Sequence, residues 1–159
     1  MSTPPVVRVV SFGLGPIGAA AARLALHKTS LQLVGAIDTD PLKVGKDLGD
    51  LLDLSRTTGI VVEGDAEAAL RRLAPDVVLH CTSSFLPQIE DQLAMIAACG
   101  ADIVSSAEEL LLPDFQHPEL AAKLAALAER HGVSMLGTGV NPGFAMDYLA
   151  VVASAAAFD

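Results

Sequence analysis

Val6 to Phe12 is an apolar run of strand character that leads straight into Gly13-Leu14-Gly15-Pro16-Ile17-Gly18. An apolar helical stretch follows, and a second strand-like run ends at Asp38, 20 residues beyond Gly18. Three spaced glycines arise often by chance. Strand, turn, helix, strand and acid in register arise far less often, and together they predict a complete dinucleotide-binding unit.

Each position has a physical task in such a unit. Gly13 permits the tight turn, Gly15 lets the backbone approach a pyrophosphate, and Gly18 lets the helix pack closely on the strand. Pro16 suits the first helical position, where a missing N–H costs little. With Ile17 these residues form the expected phosphate-binding turn, in which free N–H groups and the positive helix end face the anion. Asp38 would accept hydrogen bonds from the adenosine ribose, and its charge would repel a 2′-phosphate, which favours NAD over NADP. The competing readings are a ligand-free βα turn and a solvated loop acid, with Asp40 near enough to share the role. Thr39 adds a hydroxyl, and Lys43 is close enough in sequence to meet a 2′-phosphate, so NADP stays open.

The 159 residues suit one dinucleotide-binding domain over 1–159, with 52% apolar and 18% charged residues. A chain of this size buries roughly 70% of its unfolded surface. The net charge of −9 argues against nucleic-acid and anionic-membrane partners. No apolar run reaches the ~20 residues that span a bilayer. Met1 to Pro5 lacks the basic start and apolar core of a secretory signal. Cys81 and Cys99 have no paired spacing and lie in apolar surroundings, so free buried thiols in a reducing, cytoplasmic setting are expected. His27, His80, His117 and His131 show no ligand spacing, and no metal site is expected.

Further along, the polar stretch Thr39 to Ser55 carries a short helix around Lys46 to Leu52, and Gly59 to Val62 reads as the third strand. Asp65 caps a helix over Ala66 to Leu73. Val77 to Cys81 is a buried strand, Phe85 to Ala98 a helix, and Gly100 its stop. Asp102 to Ser105 is the fifth strand, followed by a loop through Pro113. Pro118 to His131 is an amphipathic helix with Gly132 just past its end, Val133 to Leu136 is the sixth strand, and a last helix follows Asn141-Pro142-Gly143. This alternation predicts an α/β fold of the Rossmann type: a doubly wound, mostly parallel sheet in the order 3-2-1-4-5-6.

Ligands of such sheets lie beyond the carboxyl ends of the strands. Thr82, Ser83 and Ser84 would line the nicotinamide-ribose side of that crevice, or Ser83 or Ser84 would cap the following helix. His80 and Cys81 read as core. After the fifth strand, Glu108 and Glu109 are candidate acid/base groups if burial raises a carboxyl toward neutrality. Alternatively they occupy the first turn of a short helix capped by Ser106, a favourable dipole position. Asn141, in a glycine-rich loop, would bond the nicotinamide or the substrate, or serve as a turn residue or N-cap.

Gly13-Leu14-Gly15-Pro16-Ile17-Gly18, Gly35-Ala36-Ile37-Asp38, Ser105-Ser106-Ala107-Glu108-Glu109-Leu110 and Gly137-Thr138-Gly139-Val140-Asn141-Pro142-Gly143-Phe144 occur in one order. Together they resemble the N-terminal half of the amine dehydrogenase and 2,4-diaminopentanoate dehydrogenase group, which is related in fold to dihydrodipicolinate reductases. The resemblance spans nearly the whole chain. It implies reversible NAD(P)H-dependent reductive amination of a ketone or aldehyde with ammonia, a homodimer, and a glutamate that activates ammonia and the imine. Glu108 matches that position first and Glu109 second; Asn141 and the Gly139-to-Gly143 loop would border the nicotinamide.

Members of that group are about twice as long, so the chain reads as an isolated half, expected to bind the dinucleotide with little turnover. Phe144, Met146, Tyr148, Leu149, Val151, Val152 and Phe158 form an apolar C-terminal set, expected either to self-associate or to pack as the last helix. Two alternatives stand beside the amination reading. One is another reductase of the dihydrodipicolinate reductase type, and the other is a non-catalytic dinucleotide-binding module.

Overall fold

The computed structural model describes residues 5–155. Met1 to Pro4 and Phe158, which figure in the readings above, lie outside the described residues. Six strands form one parallel sheet: β1 (Val7–Phe12), β2 (Leu31–Ile37), β3 (Val62–Glu63), β4 (Val77–His80), β5 (Asp102–Ser105) and β6 (Met135–Gly137). Their order is β3-β2-β1-β4-β5-β6, the Rossmann order expected from the sequence. β1 lies near the middle, with Phe12 opposite Ile37 on one side and His80 on the other. The two neighbouring strands therefore end level with the glycine turn.

Helices cover both faces, as a wholly parallel sheet requires. On one face Val10, Phe12, Ile37, Val78 and Ile103 pack with α4 (Leu86–Ala98), which buries Leu86, Ile89, Leu93 and Ile96 at helical spacing. On the other, Val9, Leu33 and Ala36 pack with Leu48, Leu52 and α1 (Pro16–Leu26). α1 buries only small residues, Gly18, Ala22 and Ala25, so its axis comes close to the sheet. Ser11, between Val10 and Phe12, is fully buried.

Local chemistry explains where element boundaries depart from expectation. The third strand starts at Val62, not Gly59. Asp47 accepts the Thr58 and Gly59 N–H groups at 2.9 and 2.8 Å, and Leu48 N–H bonds the Ile60 carbonyl at 2.8 Å. Those contacts hold residues 58–61 against the preceding loop, leaving Val62 and Glu63 to pair with β2. The same Asp47 caps α2 (Leu48–Leu51), which is shorter than the expected helix. Asp65 caps α3 (Ala66–Leu73) through the Ala68 N–H at 3.0 Å, as expected.

The expected loop through Pro113 is followed by a short extra helix, α5 (Pro113–Gln116), before α6 (Pro118–His131). The sixth strand begins two residues late, at Met135. Beyond it, Val140–Tyr148 is a wide turn with non-helical dihedrals at Asn141, Pro142 and Gly143, continuing into α7 (Leu149–Ser154). Phe144, Met146, Tyr148, Leu149, Val151 and Val152 are all exposed. Among the described residues no helix is long and apolar enough to cross a membrane.

Candidate dinucleotide cleft and strand-end carboxylate

The turn after β1 is built by two steric constraints. Gly13 has φ +89°, and a Cβ there would lie 2.5 Å from the Cys81 carbonyl oxygen. A Cβ on Gly18 would run into the Gly13 carbonyl. Gly15 differs: its φ of −67° is ordinary, and a Cβ there would meet no atom of the chain within 4 Å. Packing therefore demands glycine at 13 and 18 but not at 15. Gly15 is also the N-cap of α1, which has no side-chain cap, no acid in its first turn and Pro16 at its start. An uncapped helix end approached through a residue without a side chain suits an anion such as a diphosphate.

A cleft of about 380 Å³ opens at this turn, bordered by Gly13, Gly15, Asp38, Thr39 and Thr82. Lys43, Cys81 and Gln92 also border it. Asp38 is not a solvated loop acid, since only 8% of it is exposed. Its Oδ2 accepts the Leu14 N–H at 2.8 Å and the Lys43 ammonium at 2.9 Å, and its Oδ1 accepts the Asp40 N–H at 2.8 Å. Burial alone would raise its pKa. The Asp40 N–H, Lys43 and Leu14 N–H hydrogen bonds outweigh that and hold it below the usual carboxylate value. Lys43 therefore pairs with the acid at 2.9 Å and also lies 3.7 Å from Asp40.

Beneath the cleft, His80 is fully buried and stands edge-on to Phe12. Its Nδ1 is 3.0 Å from Ser105 Oγ, and its Nε2 is 2.8 Å from Gln92 Oε1 and 2.9 Å from Thr82 Oγ1. Burial lowers its pKa, against the opposing hydrogen bond to Gln92. The unfolded chain protonates this imidazole near pH 6.5, and the native state does so only at lower pH. Its contribution is therefore complete above about 6.5 and is lost as pH falls below that value, by at most about 1.4 kcal/mol per pH unit. Denaturant unfolding between pH 7.5 and 5 should show this slope, and His80→Gln should remove one proton's share of it.

Cys81 and Cys99 are free thiols. Both are half-buried rather than fully buried as expected, because Cys81 edges the cleft and Cys99 ends α4. Burial raises both pKa values. Among the described residues no group of three or more His, Cys, Asp or Glu could hold a metal ion.

At the end of β5 the two glutamates separate. Glu109 is drawn inward: its Oε2 accepts the Leu86 N–H at 2.7 Å and lies 2.9 Å from His117 Nε2. It thereby caps α4 from a distance of 23 residues in sequence. Ser83 and Ser84 do not cap that N–H. The Ser83 hydroxyl instead donates to Gln88 Oε1 at 2.7 Å, and Ser84 borders a second cleft of about 540 Å³ with Phe85, Glu108, Glu109 and Gln116. Nor does Ser106 cap the turn Glu108–Leu110, which starts at Ala107 with no side-chain cap. Ser105 Oγ accepts the Ala107 N–H at 3.1 Å instead. Glu108 is exposed, and its Oε1 accepts from Asn141 Nδ2 at 3.3 Å. Two motifs 33 residues apart thus meet at one carboxylate, while Asp38 and Thr82 belong to the neighbouring cleft.

Residues 7–107 match the family model described as dihydrodipicolinate reductase, N-terminus. The chain is 37% identical over 147 residues to 2,4-diaminopentanoate dehydrogenase of Acetoanaerobium sticklandii, covering 92% of this chain and 41% of that protein. Among solved structures, an amine dehydrogenase from Mycobacterium smegmatis superposes with a TM-score of 0.85 at 38% identity, over 93% of this chain and 44% of that one. The WlbA dehydrogenase from Bordetella pertussis, solved with NADH and UDP-GlcNAcA, shares the fold at 20% identity and a TM-score of 0.63, over 87% of this chain and 36% of that one. The chain thus spans roughly two fifths of the length of these proteins.

Proposed function

We propose that this chain, which belongs to the dihydrodipicolinate reductase N-terminal family, is the nicotinamide-dinucleotide-binding half of an oxidoreductase that reductively aminates a ketone or aldehyde with ammonia. The observation that carries the reading is the uncapped start of α1, reached through Gly15 and flanked by the buried Asp38 carboxylate. The 37% identity to a diaminopentanoate dehydrogenase and the 0.85 TM-score to an amine dehydrogenase support the amination chemistry.

In this reading Gly13, Gly15, Pro16, Ile17 and Gly18 hold the diphosphate against the helix end, and Asp38 and Thr39 meet the adenosine ribose. Thr82 and Ser84 flank the nicotinamide side with Asn141. A bound dihydronicotinamide would supply the hydride. Glu108 takes a proton from ammonium or returns one to the departing hydroxyl of the carbinolamine, and Asn141 fixes its carboxylate. Glu109 is the structural partner, since both its contacts go to α4 and His117. The substrate pocket would be completed by the part of the longer proteins that lies beyond the matched region.

Cofactor choice follows from Asp38. NAD is favoured, because a 2′-phosphate would meet a buried anion whose charge Lys43 only partly offsets. Asp38→Ala frees Lys43 and should shift the NADPH-to-NADH affinity ratio at least tenfold toward NADPH, an energy of about 1.4 kcal/mol, as read by paired titrations. The exposed apolar segment from Phe144 to Val152 is proposed as part of a homodimer contact. Sedimentation should show concentration-dependent association, and a monomer at every concentration would remove that part. The free thiols support a reducing, cytoplasmic setting.

The amination reading is tested by NADH oxidation with a ketone and ammonia, using this chain and the same chain joined to the C-terminal portion of its diaminopentanoate dehydrogenase relative. Ammonia-dependent turnover is expected from the joined protein and little from the chain alone. Turnover that ignores ammonia would favour a different reductase.

A further inference from the structure

His80 takes no part in the chemistry above, yet it is a fully enclosed polar side chain beneath the cleft. Its neighbours are consistent with one proton arrangement. The Ala107 N–H donates to Ser105 Oγ, and the Ser105 hydroxyl donates to His80 Nδ1. Gln92 Oε1 can only accept, so the proton is on Nε2, which donates to it, and Nδ1 is the acceptor. The Thr82 hydroxyl donates to the same Gln92 oxygen at 2.7 Å. Both donors thus converge on one end of the Gln92 amide. Its other end, Nε2, has no hydrogen-bond partner among the described residues, and Gln92 stands in the wall of the cleft that holds Gly13, Gly15 and Asp38.

We propose that Gln92 donates its amide N–H to an oxygen of the bound dinucleotide, a diphosphate or ribose oxygen, and that His80 is the positioning residue that holds Gln92 in place. The inference rests on the dinucleotide reading of this cleft. It adds a contact from α4, on the opposite side of β1 from α1. An unanchored glutamine would spend most of its time in other rotamers, and ordering it on binding would offset much of what one hydrogen bond contributes. Enclosed between Phe12, Ser105 and Thr82, the imidazole sets that rotamer in advance, so the contact costs little ordering on binding. Ser105 and Ala107 belong to the segment leading to Glu108, so the same chain of hydrogen bonds ties the cleft to the carboxylate turn.

The test is fluorescence titration of the full chain with NADH and NADPH, beside thermal melts of each variant. Gln92→Leu should weaken NADH about five- to tenfold, and it should also lower the melting temperature modestly, because the buried His80 Nε2–H is left with Thr82 Oγ1 alone. Gln92→Glu, which adds a negative charge beside the diphosphate, should weaken it further. At position 80 a glutamine reaches the place of imidazole Nε2, whereas an asparagine reaches only that of Nδ1. His80→Gln should therefore retain most of the affinity, and His80→Asn should lose as much as Gln92→Leu, even where both melt alike. Unchanged NADH affinity in Gln92→Leu, or equal affinity for the two His80 variants, would overturn the proposal while leaving the dinucleotide reading intact. No binding of either nucleotide by the folded wild-type chain would overturn both.

Discussion

Gly18→Ala should destabilise the chain by about 3 kcal/mol, the upper end of what a forced insertion into a packed site costs. For a chain of this length that lowers Tm by roughly 6–12 °C. The added methyl would collide with the Gly13 carbonyl, and neither side can yield easily. Gly13 is hemmed by the Cys81 carbonyl, and its own N–H is held by the Ile37 carbonyl at 2.8 Å. The turn, the start of α1 and the end of β4 must therefore shift together. Gly15→Ala makes the contrast. Its methyl meets no atom of the chain, so the melt should be nearly unchanged, while affinity for a nicotinamide dinucleotide falls tenfold or more. One glycine serves packing and the other serves the ligand, and the two variants separate those roles.

The second large effect concerns catalysis. In the joined, two-domain protein, Glu108→Gln should lower ammonia-dependent turnover by about 10²- to 10⁴-fold, the usual worth of a positioned acid/base group. NADH affinity should stay the same, because Glu108 is exposed and lies in the neighbouring cleft. Glutamine keeps the size and the oxygen that accepts from Asn141, so only proton transfer is removed. Glu109→Gln should act differently. It replaces a charged acceptor for the Leu86 N–H and His117 with a neutral one, which weakens the start of α4 by about 1 kcal/mol. Steady-state rates and denaturant melts on both variants distinguish a chemical carboxylate from a structural one. Loss of turnover only in the Glu109 variant would reverse the assignment.

The sheet and its order were legible because each strand from β1 to β5 has a local signature: a β-branched or apolar run with a turn residue or cap beside it. Asp65 before Ala66, Gly100 after α4 and Gly132 after α6 mark their boundaries through contacts only a few residues long. The start of β3 was not legible, since Asp47 reaches forward 11 and 12 residues to take the Thr58 and Gly59 amides. Spacing alone likewise left Glu108 and Glu109 equal. What separates them is the Leu86 N–H, 23 residues back, and Asn141, 33 residues on. Gln92 carries no motif and sits on a helix whose pattern announces only its buried face. A periodic polar residue is silent about a histidine 12 positions earlier.

Calorimetric titration of the folded 159-residue chain with NADH and NADPH tests the central claim most directly. Dinucleotide binding in this cleft predicts saturable uptake at one site, tighter for NADH and weakened by Gly15→Ala at unchanged melting temperature. A folded wild-type chain that takes up neither nucleotide, or a Gly15→Ala variant that binds as well as wild type, would contradict it.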